Sequence, residues 1–280
     1  MGIFDLALEL LHQITTDLSL KEISHLLLTC RVMKSRLTPH FHYLGAQDVG
    51  EQTALQWAAE KGHASFAEMI IKRGVKVDAV GPRSLRRHPL QIAALYNNPD
   101  VIRILVKHGA WIHVKDSEHR TPLFLAALRD NVKAVEALLD LGAWASLSDI
   151  DDETPVGFAA ACGGIDLLKA FIGSGFDIRT TGSRGRTILQ SAAGSGKCRQ
   201  PQMIKYLMEH EKARTIINHI DEGSETVLDI AAWREYERDT VELLLQHGAK
   251  AGPMRSKQTM KSLEKILGPH EYIVYEPYKG

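Results

Sequence analysis

Apolar positions along the chain come in short bursts of helical spacing, separated by polar stretches punctuated with glycine. One burst recurs six times: a short polar residue, an apolar step and an Ala-Ala pair. It reads Thr53-Ala-Leu-Gln-Trp-Ala-Ala59, His88-Pro-Leu-Gln-Ile-Ala-Ala94, Thr121-Pro-Leu-Phe-Leu-Ala-Ala127, Thr154-Pro-Val-Gly-Phe-Ala-Ala160, Thr187-Ile-Leu-Gln-Ser-Ala-Ala193 and Thr226-Val-Leu-Asp-Ile-Ala-Ala232. Successive starts lie 35, 33, 33, 33 and 39 residues apart. A second burst runs in phase with the first, rich in leucine and closed by glycine, at Gly74, Gly109, Gly142, Gly175 and Gly248.

Each period therefore predicts two short helices and an extended stretch, the finger, such as Ala110 to Arg120. Threonine caps the first helix, and proline at the next position costs nothing because that N–H lacks a helical partner. The alanine pair lets neighbouring first helices approach closely. The closing glycine is expected in the left-handed conformation that ends the second helix.

These residues and this spacing resemble the ankyrin repeat, whose period is about 33 residues and whose first helix opens T-P-L-H-x-A-A. The resemblance implies an all-α solenoid of six repeats within 51–257, at 53–87, 88–120, 121–153, 154–186, 187–225 and 226–257. The first finger is lengthened and holds Arg83, Arg86 and Arg87. The fifth repeat carries six extra residues, near Lys197–Pro201 and Lys212–Thr215, and lacks the closing glycine, while the sixth is lengthened at Glu235–Arg238.

A terminal repeat needs a cover for its apolar face. Residues 258–280 supply a candidate: an amphipathic helix over Thr259–Leu267 with Met260, Leu263, Ile266 and Leu267 on one side, then a tyrosine-rich tail. The N-terminus, 1–43, is different in kind. Leu6, Leu10, Ile14 and Leu18 follow helical spacing, Ser19 and Glu22 form a capping box for a leucine-rich second helix, and a third helix stops before Pro39. Leu6, Glu9, Leu10, Leu11, Ile14, Leu18, Ile23, Leu26, Cys30 and Arg31 fall, without a gap, on the pattern of the F-box, which this segment resembles. Ala7, Glu22, Thr29 and Met33 depart from it. The resemblance implies a three-helix module that docks through Leu6, Leu10, Leu11, Ile14, Leu18, Ile23, Leu26 and Cys30 onto a Skp-type adaptor of a cullin ubiquitin ligase. The alternative is that these helices only cap the first repeat.

Bulk composition adds exclusions. Apolar residues make up 44% and charged residues 24%, and 34 Lys plus Arg balance 34 Asp plus Glu. No global field draws nucleic acid or a membrane surface. No stretch is apolar enough to be read as a membrane span, and three distant cysteines suggest a reducing compartment, cytoplasmic or nuclear. No catalytic, metal or cofactor site is expected. Ala193-Gly-Ser-Gly-Lys197 lacks the first glycine of a phosphate loop, because Ser191 stands there. Asp149-Ile-Asp-Asp-Glu153 resembles half a calcium loop without its glycine or distal glutamate, and reads as a solvated acidic turn.

In the related family, partners bind at finger tips and on the exposed face of the first helices, which together form a concave surface. The repeat phase places Arg83, Arg86, Arg87, Trp111, His119, Trp144, Asp151, Asp152 and Arg184 in fingers, with Glu118 and Arg179 beside them, and Tyr96, Arg129 and Trp233 just beyond the Ala-Ala pairs. Trp111 and Trp144 are equivalent, each following Gly-Ala. Tryptophan and arginine are over-represented in interface hot spots. The function expected is a protein-binding adaptor without chemistry of its own, a substrate receptor of a ubiquitin ligase; the alternative is a plain ankyrin scaffold or inhibitor.

Overall fold

The computed structural model describes residues 54–72, 74–80, 87–162, 164–194, 201–234, 238–254 and 256–268. Every regular element among them is a helix. They divide into two compact units that part between Ser117 and Glu118. The proposed N-terminal module and the tail beyond Gly268 lie outside the described residues.

The first unit holds α1 (Ala54–Lys61), α2 (Ala64–Lys72), α3 (Pro89–Leu95) and α4 (Pro99–Lys107). Its alanine pairs, Ala58–Ala59 and Ala93–Ala94, are completely buried, as close packing of first helices requires. Polar side chains fix one helical pair against the next. Gln56 donates to the Arg87 carbonyl at 2.7 Å, and Asn98 donates to the carbonyls of Ala59 and Glu60 at 2.7 and 3.0 Å. Asn98 thus satisfies acceptors that α1 leaves open at its C-terminal end.

The second unit holds α5 (Pro122–Leu128), α6 (Val132–Asp140), α7 (Pro155–Cys162), α8 (Ile165–Gly173), α9 (Ile188–Gly194), α10 (Pro201–Glu209), the short α11 (Glu211–Arg214), α12 (Val227–Trp233), α13 (Arg238–Gln246) and α14 (Ser256–Leu267). The threonine caps form as expected: Thr121, Thr154, Thr187 and Thr226 accept from the backbone N–H three residues on, at 3.1 to 3.3 Å. Where that third residue is Gln190 or Asp229, its side chain accepts in return from the cap's own N–H, at 2.9 and 2.8 Å, completing a capping box. Each second helix presents one side to the core, through Val135 and Leu138, Leu168 and Phe171, Ile204 and Leu207, Val241 and Leu244, all fully buried.

Helices α2, α4, α6, α8 and α13 end alike. Gly74, Gly109, Gly142, Gly175 and Gly248 have φ between 83° and 95°, and the next residue's N–H bonds back across five residues, as Ala143 to Leu138 at 2.9 Å. This is the left-handed helix stop that the glycine pattern predicted. The fifth repeat, which lacks that glycine, ends differently. Helix α11 follows α10 at once, Ala213 is buried, and the Arg214 side chain donates to the Met208 carbonyl at 2.7 Å. An arginine and a helical turn satisfy the carbonyls that the glycine stop satisfies elsewhere.

The C-terminal helix begins three residues before the sequence suggested, and its buried stripe is shifted. Thr259, Leu263 and Leu267 are buried, while Met260 and Ile266 stay partly exposed. Register is set by the Thr259 hydroxyl, which donates to the buried Asp229 carboxyl at 2.6 Å. Asp229 also accepts from the N–H of Gly252 at 2.8 Å, so one side chain joins the last first helix, the last finger and α14.

Candidate functional site

Fingers in the second unit are hairpins closed one residue before each threonine cap. Asp149 donates from its N–H to the Glu153 carbonyl (3.0 Å), Gly182 to Arg186 (2.7 Å) and Asp221 to Glu225 (3.1 Å). Neighbouring tips are tied by the N–H of Ile150 to the Glu118 carbonyl at 3.2 Å, and that of Glu222 to the Arg184 carbonyl at 3.0 Å. Turning this tightly forces φ to 58° at His119, 61° at Asp152, 56° at Arg184 and 59° at Ser224. Side chains other than glycine are uncommon there. In the repeat phase Gly185 stands where His119, Asp152 and Ser224 do, so this chain itself supplies the unstrained solution once.

The residues singled out for partner binding fall in three groups. Large aromatic side chains are open to solvent: Tyr96 is 55% exposed and Trp111 63% in the first unit, and Trp144 is 60% and Trp233 57% in the second. Each indole therefore keeps most of its surface away from its own finger or helix end. His119, Arg129, Asp151, Asp152 and Arg184 are exposed as well, and the Arg234 guanidinium lies 5.1 Å over the Trp233 ring. Arg87 is only half exposed, while Arg83 and Arg86 lie outside the described residues, as do Leu6, Leu10, Leu11, Ile14, Leu18, Ile23, Leu26 and Cys30.

Some charges that look available in the sequence are engaged locally. Arg179 grips Asp177 in its own finger with contacts of 2.7 to 3.1 Å, which hold the Asp177 carboxyl down at about 2. Glu118 pairs with Arg120 at 2.7 Å. Asp149 spends one carboxyl oxygen on the N–H groups of Asp151 and Glu153, both at 3.0 Å, so it is a turn-former. The acidic turn is solvated at Asp151 and Asp152 but not at Glu153. That side chain is half-buried, and burial pushes its carboxyl above the usual range, with Arg186 as the main opposing influence.

Sequence reasoning missed two kinds of residue. Ile150 is 55% exposed at the tip of its finger, and Met254 is also open to solvent. An apolar residue flanked by four acids was the available signal for Ile150. Arg186 was also missed: it bridges to Asp221 at 3.2 Å and Glu225 at 3.5 Å, joining two fingers. Glu153, Arg186 and Glu225 all immediately precede a threonine cap, so the alternation of charge is visible once the repeats are aligned.

Among the described residues no three His, Cys, Asp or Glu side chains converge as metal ligands, and no helix is long and apolar enough to cross a membrane. What the fold offers is an array of exposed aromatic and charged side chains on rigid caps and turns, the composition of a protein-recognition surface.

Comparison with known proteins agrees with that geometry. The family model described as Ankyrin repeats (3 copies) matches residues 78–149 and 156–254, and the model described as Ankyrin repeat matches residues 50–82. A search of curated proteins returns no match to the chain. Ankyrin repeats are protein–protein interaction modules and generally not enzymes, so the chain is an interaction adaptor that binds protein partners. With caps, alanine pairs, glycine stops and finger hairpins in one phase, and family models covering more than half of its length, the chain belongs to the ankyrin-repeat family.

Proposed function

We propose that this chain is the substrate receptor of a Skp–cullin–F-box type ubiquitin ligase. Residues 1–43 dock the Skp-type adaptor, the six repeats of 51–257 hold the target protein, and 258–280 close the stack. The target side rests on one observation: Tyr96, Trp111, Trp144 and Trp233, at finger starts and first-helix ends, are all more than half exposed. An amphipathic aromatic residue held on a rigid backbone loses little entropy on binding and buries a large area, which is how interface anchors work. The partner face adds Arg83, Arg86, Arg87, His119, Arg129, Asp151, Asp152 and Arg184, giving it both signs of charge and favouring a protein over nucleic acid.

The adaptor side rests on the ungapped run of F-box-like positions from Leu6 to Arg31. In a helix, Leu10 and Ile14 are one turn apart and share a face, so acidic residues at both oppose docking. Capture of the Skp-type adaptor by the wild-type chain, and its loss in Leu10→Asp with Ile14→Asp, are the expected results. No capture by the wild type, or undiminished capture by the double variant, refutes the ligase role and leaves an ankyrin scaffold or inhibitor whose N-terminal helices are a cap.

A further inference from the structure

Two positions break the size pattern of the repeats, and they face each other. Three residues after the cap, the chain has Gln56, Gln91, Phe124, Gly157, Gln190 and Asp229; one position further it has Trp57, Ile92, Leu125, Phe158, Ser191 and Ile230. Gly157 and Ser191 are the small members of each series, and they sit on the adjacent helices α7 and α9. A Cβ on Gly157 would lie 2.9 Å from the Thr154 hydroxyl oxygen, 3.4 Å from that of Ser191 and 3.5 Å from Glu153 Oε2. The space left by the missing side chains opens between the fourth and fifth repeats as a cavity of about 30 Å³, walled by apolar Val156, Phe176 and Ile188. That is room for a group about the size of one water molecule.

The lining chemistry selects among groups of that size. Glu153 brings a half-buried carboxyl to the cavity. Arg186 also lines the cavity, but its guanidinium is shared between Asp221 and Glu225. One carboxyl and two hydroxyls thus converge on an opening whose remaining lining is apolar at Val156, Phe176 and Ile188 and polar at Asp152, Thr180 and Arg186. A primary ammonium has three donors on a compact head and an apolar stem, whereas a guanidinium is a broad plane with five donors. We infer that this cavity is a subsite for a lysine side chain of the bound partner, its ammonium held by Glu153, Ser191 and Thr154 and its stem lying along Phe176. This rests on the reading of fingers and first helices as the partner face, and it makes the partner one that presents a lysine there.

The experiment is a titration of the full, isotopically labelled chain, followed by NMR, with Nα-acetyl-lysine N-methylamide and with the norleucine and arginine analogues. The lysine probe is expected to shift the Gly157 and Ser191 amide signals saturably, in the millimolar range, with both analogues about tenfold weaker or worse. Glu153→Gln, which removes the charge and keeps the shape, is expected to abolish the preference for lysine, and Ser191→Ala to weaken it. Equal shifts by the norleucine analogue, no saturable shift (a bound water only), or an unchanged lysine preference in Glu153→Gln overturns the inference. The broader reading fails separately: alanine at Trp144 and Trp233 would then leave capture of co-purifying proteins unchanged, whatever the lysine probe does.

Discussion

Replacing Asp229 by alanine tests whether one buried carboxyl holds the C-terminal end together. Asp229 is almost fully buried and accepts from the N–H of Thr226 at 2.8 Å, the N–H of Gly252 at 2.8 Å, and the hydroxyls of Thr226 at 2.9 Å and Thr259 at 2.6 Å. The four donors are not equally stranded by its loss. The Thr226 hydroxyl already has a second acceptor in the Lys250 carbonyl at 2.8 Å, and the Thr259 hydroxyl can rotate. The two backbone N–H groups belong to buried residues and cannot turn away. A stranded buried donor costs about 1–3 kcal/mol, so the expected destabilisation is about 3–4 kcal/mol. That is a large share of the roughly 5–15 kcal/mol that holds an ordinary domain folded. Asp229→Asn keeps an acceptor for the two N–H groups and is expected to cost about 1 kcal/mol. Because repeats couple only to their neighbours, the damage should appear first at the end of the stack. Urea denaturation gives the free energies, and amide hydrogen exchange locates the loss, with α12 to α14 losing protection before α5 to α8. A cost below about 1 kcal/mol for alanine, or equal costs for alanine and asparagine, refutes the assignment of Asp229 as the junction.

Two further outcomes follow from the fingers. His119 is exposed with φ at 58°, so His119→Gly is expected to stabilise the chain by about 1 kcal/mol, raising the melting temperature by about 2–4 °C in calorimetry; a lower melting temperature would mean that the imidazole holds the tip. Glu153 titrates above its ordinary value of 4.5 because it is desolvated, so its ionised form opposes folding. The sign is therefore that stability falls as pH rises through the Glu153 value, and Glu153→Gln melts higher than the wild type at neutral pH; below about pH 4, where the residue is protonated folded and unfolded, the advantage disappears. An advantage that persists at pH 3 excludes titration of Glu153 as its cause.

The sequence alone determined the helical pairs, because what makes them is local: a threonine beside a proline, a glycine after a leucine run and an Ala-Ala pair at fixed phase. Caps and glycine stops satisfy the backbone within a few residues of themselves, so a one-dimensional pattern carries them fully. It also placed Trp111, Trp144, Tyr96 and Trp233 at positions that prove exposed, since phase fixes which side of a repeat a residue occupies. What it left open depends on residues distant in the chain. Thr259 rather than Met260 faces inward because Asp229, 30 residues earlier, offers an acceptor there. Glu153 looks like the end of a solvated turn, yet it is half-buried beside a cavity that Gly157 and Arg186 also line. The Arg186 bridge to Asp221 and Glu225 needs two fingers brought side by side, and the cavity beside Gly157 needs Ser191 on the facing helix. Local chemistry fixed each repeat, and the contact of one repeat with the next fixed burial, charge pairing and empty space, which no single repeat contains.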